Sequence, residues 1–171
     1  MNAHTVEKIG GTSMLDYATV RDNIIVGGDN SRGPYNRIIV VSAYAGITNR
    51  LLEHKKTGRP GVFALFSGSK LERSWRDELA LLRDELFSLN DTLFADPLGT
   101  ERANKFVGER LDSAEACLDS LQQLCRHGHF ALEAHLATVR EMLASIGEAQ
   151  SAWNTVQLLQ RDGINARFVD L

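Results

Sequence analysis

The pattern of hydrophobic and polar positions gives the start of the chain an alternating strand and helix order. Weak alternation over residues 5–10, TVEKIG, predicts a strand, and a helix to about Val26 follows, with Ser13 and Asp16 spaced like a capping box. After turn-forming residues 27–36, the β-branched run RIIVVSA is typical of a parallel strand buried on both faces. YAGITNRLLEHKK then predicts a glycine-containing turn and a second helix. Residues 1–56 therefore follow the order of an α/β fold.

Two heptad seams occupy the middle of the chain, a helical segment of about residues 70–145. Spacings of four and three alternate in two series of apolar residues: Trp75, Leu79, Leu82, Leu86, Leu89 and Leu93, then Val107, Leu111, Ala114, Leu118, Leu121 and Cys125. Joined by the short loop ADPLGTE, they predict an antiparallel helical hairpin. We interpret its seams as core packing rather than a cofactor site. A further helix is predicted from Leu132, Leu136, Val139 and Leu143.

The end of the chain returns to the α/β pattern. One helix face is marked by Ala149, Ala152, Trp153, Val156 and Leu159. Gly163 is placed as a helix C-terminal cap, and ARFVDL predicts a buried strand. A parallel sheet ending on this strand would expose one face and an edge, so we expect the 171 residues to be part of a longer protein.

Composition narrows the class of protein. A chain of 171 residues that is 43% apolar can bury one domain core, and its net charge of -3 argues against nucleic acid as a partner. Neither a membrane-spanning run nor a signal peptide is visible, so we expect a cytoplasmic protein without a membrane partner. Cys117 and Cys125 would lie about 12 Å apart on one helix, too far for a disulfide. We interpret HGH at 127–129 as a solvated loop and expect no metal site.

Three stretches that combine glycine with hydroxyl or carboxylate residues precede predicted helices: KIGGTS from Lys8, VSAYAGITN from Val41 and IGEAQS from Ile146. Ligands of open parallel sheets bind at the carboxyl ends of strands, where helix N-termini favour anions. Glycine would let a phosphate approach the backbone, and a lysine in a buried strand would need an anionic partner. The alternatives are a plain tight turn, N-caps at Ser13, Ser42 and Thr48, and a Glu148 that only favours a helix N-terminus.

The same three stretches resemble the motifs of aspartate kinases, in that family's order. VEKIGGTSM closely resembles the N-terminal signature K-F-G-G-T-S-V, with Ile9 and Met14 as apolar replacements. VVSAYAGITNRLLE is similar to V-V-S-A-x-x-G-V-T-(N/D)-x-L, and IGEAQSAWNTVQLLQRDGINARFVDL is similar to the third motif, around G-E-x-x-S-A. The resemblance covers the whole chain. EKIGGTSM with LLEHKKTGRPGVFALF downstream most resembles the aspartate kinases of ectoine biosynthesis.

The resemblance implies an amino-acid-kinase fold, with a mostly parallel sheet, helices on both of its faces and the helical hairpin. It also implies a transferase reaction, in which ATP phosphorylates the β-carboxylate of L-aspartate to give 4-phospho-L-aspartate. Lys8 would be the catalytic contact to the transferring phosphoryl group, and Thr48 and Glu148 would bind aspartate, Glu148 through its ammonium group. The residues implied in phosphate and ATP binding are Lys8, Gly10, Gly11, Thr12, Ser13 and Ser42.

The resemblance also implies that residues 1–171 are the N-terminal part of the catalytic domain. On this resemblance, we expect the family's nucleotide-binding half and its regulatory ACT domains to lie outside these 171 residues. We therefore expect ATP and Mg²⁺ to serve the full-length enzyme, and this chain alone to bind neither well and to be inactive. A homo-oligomer is expected. Two alternatives stay open: another amino-acid kinase, for acetylglutamate or glutamate, or a non-catalytic helical interaction module.

Overall fold

A computed structural model describes residues 4–27, 33–68, 74–126, 128 and 130–170. Its strands and main helices are β1 (Thr5–Ile9), α1 (Tyr17–Val20), β2 (Arg37–Val41), α2 (Ile47–Leu51), α3 (Val62–Ser67), α4 (Trp75–Phe94), α5 (Pro97–Cys125) and α6 (Leu136–Arg161). The chain divides into two compact units. The first unit comprises residues 1–45 and 148–171, and the second unit comprises residues 46–147. None of the described helices is long and apolar enough to cross a bilayer.

The sheet of the first unit consists of β1 and β2, which are parallel. The register places Thr5 opposite Arg37 and Ile9 opposite Val41. The backbone N–H of Ser42 donates to the carbonyl oxygen of Ile9 at 3.1 Å, so the strands end together. This mixture of helices with a small parallel sheet is compatible with the predicted α/β fold.

One face of this sheet is exposed, which corrects the sequence prediction. Ile38 is 53% exposed and Val40 is 44% exposed, and their register partners, Val6 and Lys8, are exposed too. The prediction that β2 is buried on both faces is therefore wrong for the described chain. The argument that Lys8 needs an anionic partner because its strand is buried fails for the same reason. A β-branched run permits burial on both faces, but only a covering layer produces it.

The helix predicted to run to Val26 is broken into short pieces. A 3-10 turn over Ser13–Leu15 precedes α1, and a π-helical turn over Arg21–Ile25 follows it. The N-cap of α1 is Asp16, whose carboxylate accepts from the N–H of Thr19 at 3.0 Å. The predicted capping box at Ser13 is wrong, because the aspartate three residues later is itself a strong N-cap.

A half-buried carboxylate joins the start of the first unit to its end. The Tyr17 hydroxyl donates to Asp162 at 2.8 Å, and the Arg21 guanidinium donates to the same oxygen at 2.7 Å. Burial raises the pKa of Asp162, but the hydrogen bonds from Arg21 and Tyr17 outweigh it, and the pKa lies below its usual value of 3.8. The ionised carboxylate therefore stabilises the fold.

Asp162→Ala is expected to lower the free energy of unfolding at pH 7 by about 1–2 kcal/mol, because two half-buried donors, Tyr17 and Arg21, lose their acceptor. Since the native pKa is depressed, this contribution is complete above pH 3.8 and is lost as the pH falls through the native pKa. Urea unfolding at a series of pH values measures it. Asp22→Ala, which removes the exposed partner of Arg21, is the control and should change little. Equal effects of the two substitutions would contradict the assignment.

The last helix ends as predicted, but the strand after it does not form. Gly163 has φ +80°, its N–H donates to the carbonyl of Gln160 at 3.1 Å, and the Ile164 N–H donates to that of Leu159 at 2.9 Å. These two bonds make a Schellman cap and confirm the role of Gly163. Residues 166–170 lie in no strand, so the prediction for ARFVDL is wrong for them, and Leu171 lies outside the described residues. A strand requires a paired edge, which the local sequence cannot supply.

The helix α6 joins two helices that the sequence predicted separately. Its residues 136–147 belong to the second unit and residues 148–161 to the first. IGEAQS therefore lies inside a helix, and the prediction that a helix begins there is wrong. A single glycine costs a helix about 1 kcal/mol, less than the buried residues beside Gly147, such as Leu143 and Ile146, gain by packing.

The second unit contains the predicted antiparallel hairpin, made by α4 and α5. Arg76 pairs with Asp119, the Arg83 guanidinium lies 2.6 Å from Asp112, and the Asn90 amide donates to Asn104 at 2.8 Å. The residue numbers of the partners on α5 decrease as those on α4 increase, which confirms the antiparallel arrangement.

Most of the residues in the two heptad seams are buried, namely Trp75, Leu79, Leu82, Leu86, Val107, Leu111, Ala114 and Leu118. Core packing is thus the role of the seams, and the two cysteines on α5 are free and half-buried.

Candidate functional site

The ends of the two parallel strands bring the first two motifs together. The loop that begins at Gly10 and the loop that begins at Ser42 both leave the sheet at the carboxyl ends of its two strands. A Cβ atom built on Gly11 would lie 2.2 Å from the carbonyl oxygen of Ala43, a distance that no side chain can adopt. Glycine at position 11 is therefore required for the close approach of the two loops.

Gly10 has different surroundings. It is exposed, and a Cβ atom built on it would meet no heavy atom within 4 Å. Its carbonyl accepts from the N–H groups of Ser13 and Met14, at 3.1 and 3.3 Å. Within the described residues, the N–H groups of Gly11 and Thr12 donate to no backbone carbonyl. The tip of this loop thus has open space beside two available donors, which suits the close approach of a phosphate.

The charged and hydroxyl side chains of the first motif take part in no ion pair or helix-capping hydrogen bond with the described residues. Lys8 is exposed and forms no ion pair with the described residues. Thr12 precedes the 3-10 turn, but its side chain makes no capping hydrogen bond. Ser13 is exposed within that turn and is not an N-cap. These side chains remain available to a ligand.

Ser42 connects the second motif with the third. Its carbonyl oxygen accepts from the Ser151 hydroxyl at 2.7 Å, and that hydroxyl lies 3.1 Å from the carbonyl oxygen of Glu148. Ser151 therefore holds α6 against the end of β2. Sequence reasoning did not single out Ser151 as a positioning residue. Its signal is a polar stripe at helical spacing, and all four of its members are buried: Gln150, Ser151, Asn154 and Thr155.

Tyr44 extends this polar contact beneath the loop after β2. Its side chain is 2% exposed and is hydrogen-bonded to Asn154 of α6. Burial raises the pKa of Tyr44 well above its usual value, although the bond from Asn154 opposes the shift. The phenol therefore stays protonated at neutral pH and supports the loop as an uncharged group.

The two residues implied in aspartate binding lie in different units. Glu148 is exposed on α6, far from the helix N-terminus, so the alternative that it favours that terminus is wrong. Thr48 is the second residue of α2 and is half-buried.

The N-cap of α2 is Gly46, at φ +91°, so neither Ser42 nor Thr48 caps this helix. The helix ends at Leu51, earlier than predicted, since residues 53 and 60 form an antiparallel bridge.

No set of three or more His, Cys, Asp or Glu side chains is arranged to bind a metal ion in the described ranges. The prediction that HGH forms a solvated loop concerns His127 and His129, which lie outside the described residues.

Comparison with known proteins places these motifs in context. The chain is similar to aspartate kinase Ask_Ect of Stutzerimonas stutzeri (strain A1501), with 51% identity over 168 residues. The match covers 98% of this chain but 35% of that protein's length. No family model matches the chain, and no solved structure matches it. The resemblance to aspartate kinases, inferred from three ordered motifs, is confirmed by this relative.

Proposed function

We propose that the protein containing this chain is an aspartate kinase. A β-carboxylate oxygen of L-aspartate attacks the γ-phosphorus of ATP, the bond to the β,γ-bridging oxygen breaks, and 4-phospho-L-aspartate and ADP leave. The observation that carries the proposal is the 51% identity, over 98% of this chain, to a protein named as an aspartate kinase. The chain spans 35% of that relative's length, so the activity is proposed for the whole protein.

The loop after β1 supports phosphate binding in this reaction. Phosphoryl transfer depends mainly on positioning and on neutralising the charge of the phosphoryl oxygens. We assign Lys8 to the transferring phosphoryl group and the N–H groups of Gly11 and Thr12 to phosphate oxygens. Gly10 leaves the space for this approach. Ser13 and Ser42 are assigned to the same phosphate site, at the ends of the parallel strands.

Aspartate binding is assigned to Glu148 and Thr48. The Glu148 carboxylate is exposed and would pair with the α-ammonium group of the substrate. Its helix is positioned against β2 by the hydrogen bond from Ser151 to Ser42. Thr48, in the second unit, is assigned on the resemblance alone.

Several finer features belong to the same proposal. ATP binds with Mg²⁺, which neutralises charge on the phosphate oxygens when it is present. The first and second motifs, with LLEHKKTGRPGVFALF, favour the ectoine type, and we propose a cytoplasmic homo-oligomer. We also propose that residues 1–171 are the N-terminal part of the catalytic domain.

The test is a coupled assay for acyl phosphate on the longer protein that contains this chain. Turnover is expected with L-aspartate and not with glutamate or acetylglutamate. Comparable turnover with either of those substrates would favour another amino-acid kinase. No turnover with any substrate would favour a non-catalytic module.

The 171-residue chain alone is expected to show no turnover, since the proposed nucleotide contacts are shared with the rest of the protein. The measurement is the same aspartyl phosphate assay, with a Lys8→Ala form of the chain as its background. Turnover well above that background would contradict this prediction and show that the chain holds a complete site.

A further inference from the structure

The segment HKKTGR, residues 54–59, takes no part in the proposed ATP and aspartate sites. Three of its six residues are lysine or arginine and none is acidic, whereas the whole chain has a net charge of -3. Lys55, Lys56 and Arg59 are exposed, and none of the three pairs with a carboxylate among the described residues. The segment therefore carries positive charge that the described part of the chain does not neutralise, which favours an anionic ligand.

The backbone of this segment forms a tight turn that packs against α2. The N–H of His54 donates to the carbonyl of Arg59 at 2.9 Å, and the N–H of Gly58 donates to the carbonyl of His54 at 2.8 Å. A Cβ atom built on Gly61 would lie 2.3 Å from the carbonyl oxygen of Arg50, so the chain returns directly against the helix. The backbone that carries His54 and Arg59 is therefore fixed relative to α2.

The same turn orients the imidazole ring of His54. Its Nδ1 atom accepts from the N–H of Lys56 at 3.3 Å and from the N–H of Thr57 at 3.2 Å. Because Nδ1 accepts, the proton of the neutral ring lies on Nε2, which is then a donor. This Nε2 group donates to none of the described residues. The ring thus has a fixed orientation and one donor left for a ligand.

A cavity of about 210 Å³ lies in the second unit, between this turn, α2 and α4. Three of the side chains that line it carry N–H donors that bond to no described residue, namely those of Asn49, His54 and Arg59. Asn49 and His54 are half-buried, so their polar groups lose part of their contact with water. Donors that converge on a cavity without a partner indicate a binding site for an acceptor.

The carboxylates beside the cavity are paired with Arg50. Glu85 lines the cavity, and its Oε2 atom lies 2.8 Å from Nη1 of Arg50. Nε of the same guanidinium donates to the buried carboxylate of Glu78 at 2.7 Å. Arg50 therefore reduces the negative potential of both carboxylates, and Arg59 is left as a cation without a counter-ion among the described residues.

We propose that this cavity binds a small oxyanion, a phosphate or a carboxylate, through the Arg59 guanidinium, the Nε2–H of His54 and the Asn49 amide. The cavity is smaller than the about 300–1,000 Å³ of pockets for drug-sized ligands, which suits a ligand of this size. A guanidinium can donate two parallel hydrogen bonds to either anion. None of the three residues is assigned to ATP or aspartate, so the proposal does not depend on the kinase reaction.

Titration of the 171-residue chain with potassium phosphate, and separately with potassium succinate, tests the proposal. Heteronuclear NMR follows the His54 imidazole, with potassium chloride at equal ionic strength as the reference. The His54 signals should shift in a saturable way with at least one of the two anions. The anion with the lower dissociation constant then identifies the ligand as a phosphate or a carboxylate. Shifts no larger than those with chloride in both titrations would overturn the proposal.

Matched variants separate a specific site from general attraction of anions. Arg59→Gln should weaken binding at least about tenfold, because it removes a charged donor. Lys55→Gln removes the same charge from the same turn, but Lys55 does not line the cavity, so binding should change by less than about twofold. Equal weakening by the two variants would overturn the proposal. Lys8→Ala should leave the His54 titration unchanged, since Lys8 is assigned to the proposed ATP site.

Asn49→Asp provides a second variant, on α2 rather than on the turn. It places a negative charge in the cavity and should abolish the response of His54 to either anion. A retained response would remove Asn49 from the site and overturn the proposed geometry. The same titration is repeated on the longer protein. Loss of the His54 response there would overturn the proposal in favour of an acidic side chain from the rest of that protein.

Discussion

Gly11→Ala is expected to lower the free energy of unfolding by about 3 kcal/mol, an effect at the upper end for overpacking. The new methyl group would lie 2.2 Å from the carbonyl oxygen of Ala43, and backbone cannot move aside as a flexible side chain can. The loops after β1 and β2 would be forced apart. Urea unfolding of the 171-residue chain measures the loss, and the longer protein should lose kinase activity with it.

Gly10→Ala is the matched control, one residue away. Its methyl group would meet no heavy atom within 4 Å, so the free energy of unfolding should change by less than about 1 kcal/mol. In the longer protein the same methyl group would occupy the space proposed for phosphate, so the KM for ATP should rise. Equal destabilisation by both substitutions would contradict the structural account of Gly11. Unchanged kinetics for Gly10→Ala would contradict the proposed phosphate position.

Lys8→Ala in the longer protein is expected to lower kcat at least about 100-fold, the size of effect seen when one donor to a developing charge is removed. Stability should not change, because the Lys8 side chain is exposed and pairs with no described carboxylate. Steady-state kinetics and urea unfolding of the same preparation separate the two effects.

Two further substitutions make the Lys8 result specific. Lys105→Ala removes a side chain that is 75% exposed on α5 and should leave kcat unchanged. Lys8→Arg keeps the charge but replaces a compact ammonium by a planar group, so it should recover only part of the activity. Wild-type kcat in Lys8→Ala would remove this residue from the proposed mechanism. A loss of stability equal to the loss of activity would assign it a structural role.

The positions of some residues of the candidate site could be predicted from the sequence motifs, and the positions of others could not. Placing Lys8, Gly10 and Ser42 at neighbouring strand ends needed only the order of two parallel strands, and the structure agrees. The position of Glu148 was missed, since the sequence around Gly147 looks like a helix start. Burial of Leu143 and Ile146 keeps that segment helical, and such burial depends on tertiary packing rather than on local sequence.

The sequence by itself determined the features that arise within a few residues or from a regular period. The hairpin follows from the spacing of apolar residues on α4 and α5, and the end of α6 follows from Gly163. The tertiary structure decided which faces are covered and which glycine is indispensable. Gly10 and Gly11 are the same residue type and neighbours in the sequence, but the parallel pairing of β1 with β2 brings Ala43 against Gly11 and not against Gly10. Contacts between residues some 30 positions apart are set by strand pairing and packing, so no local pattern could distinguish the two.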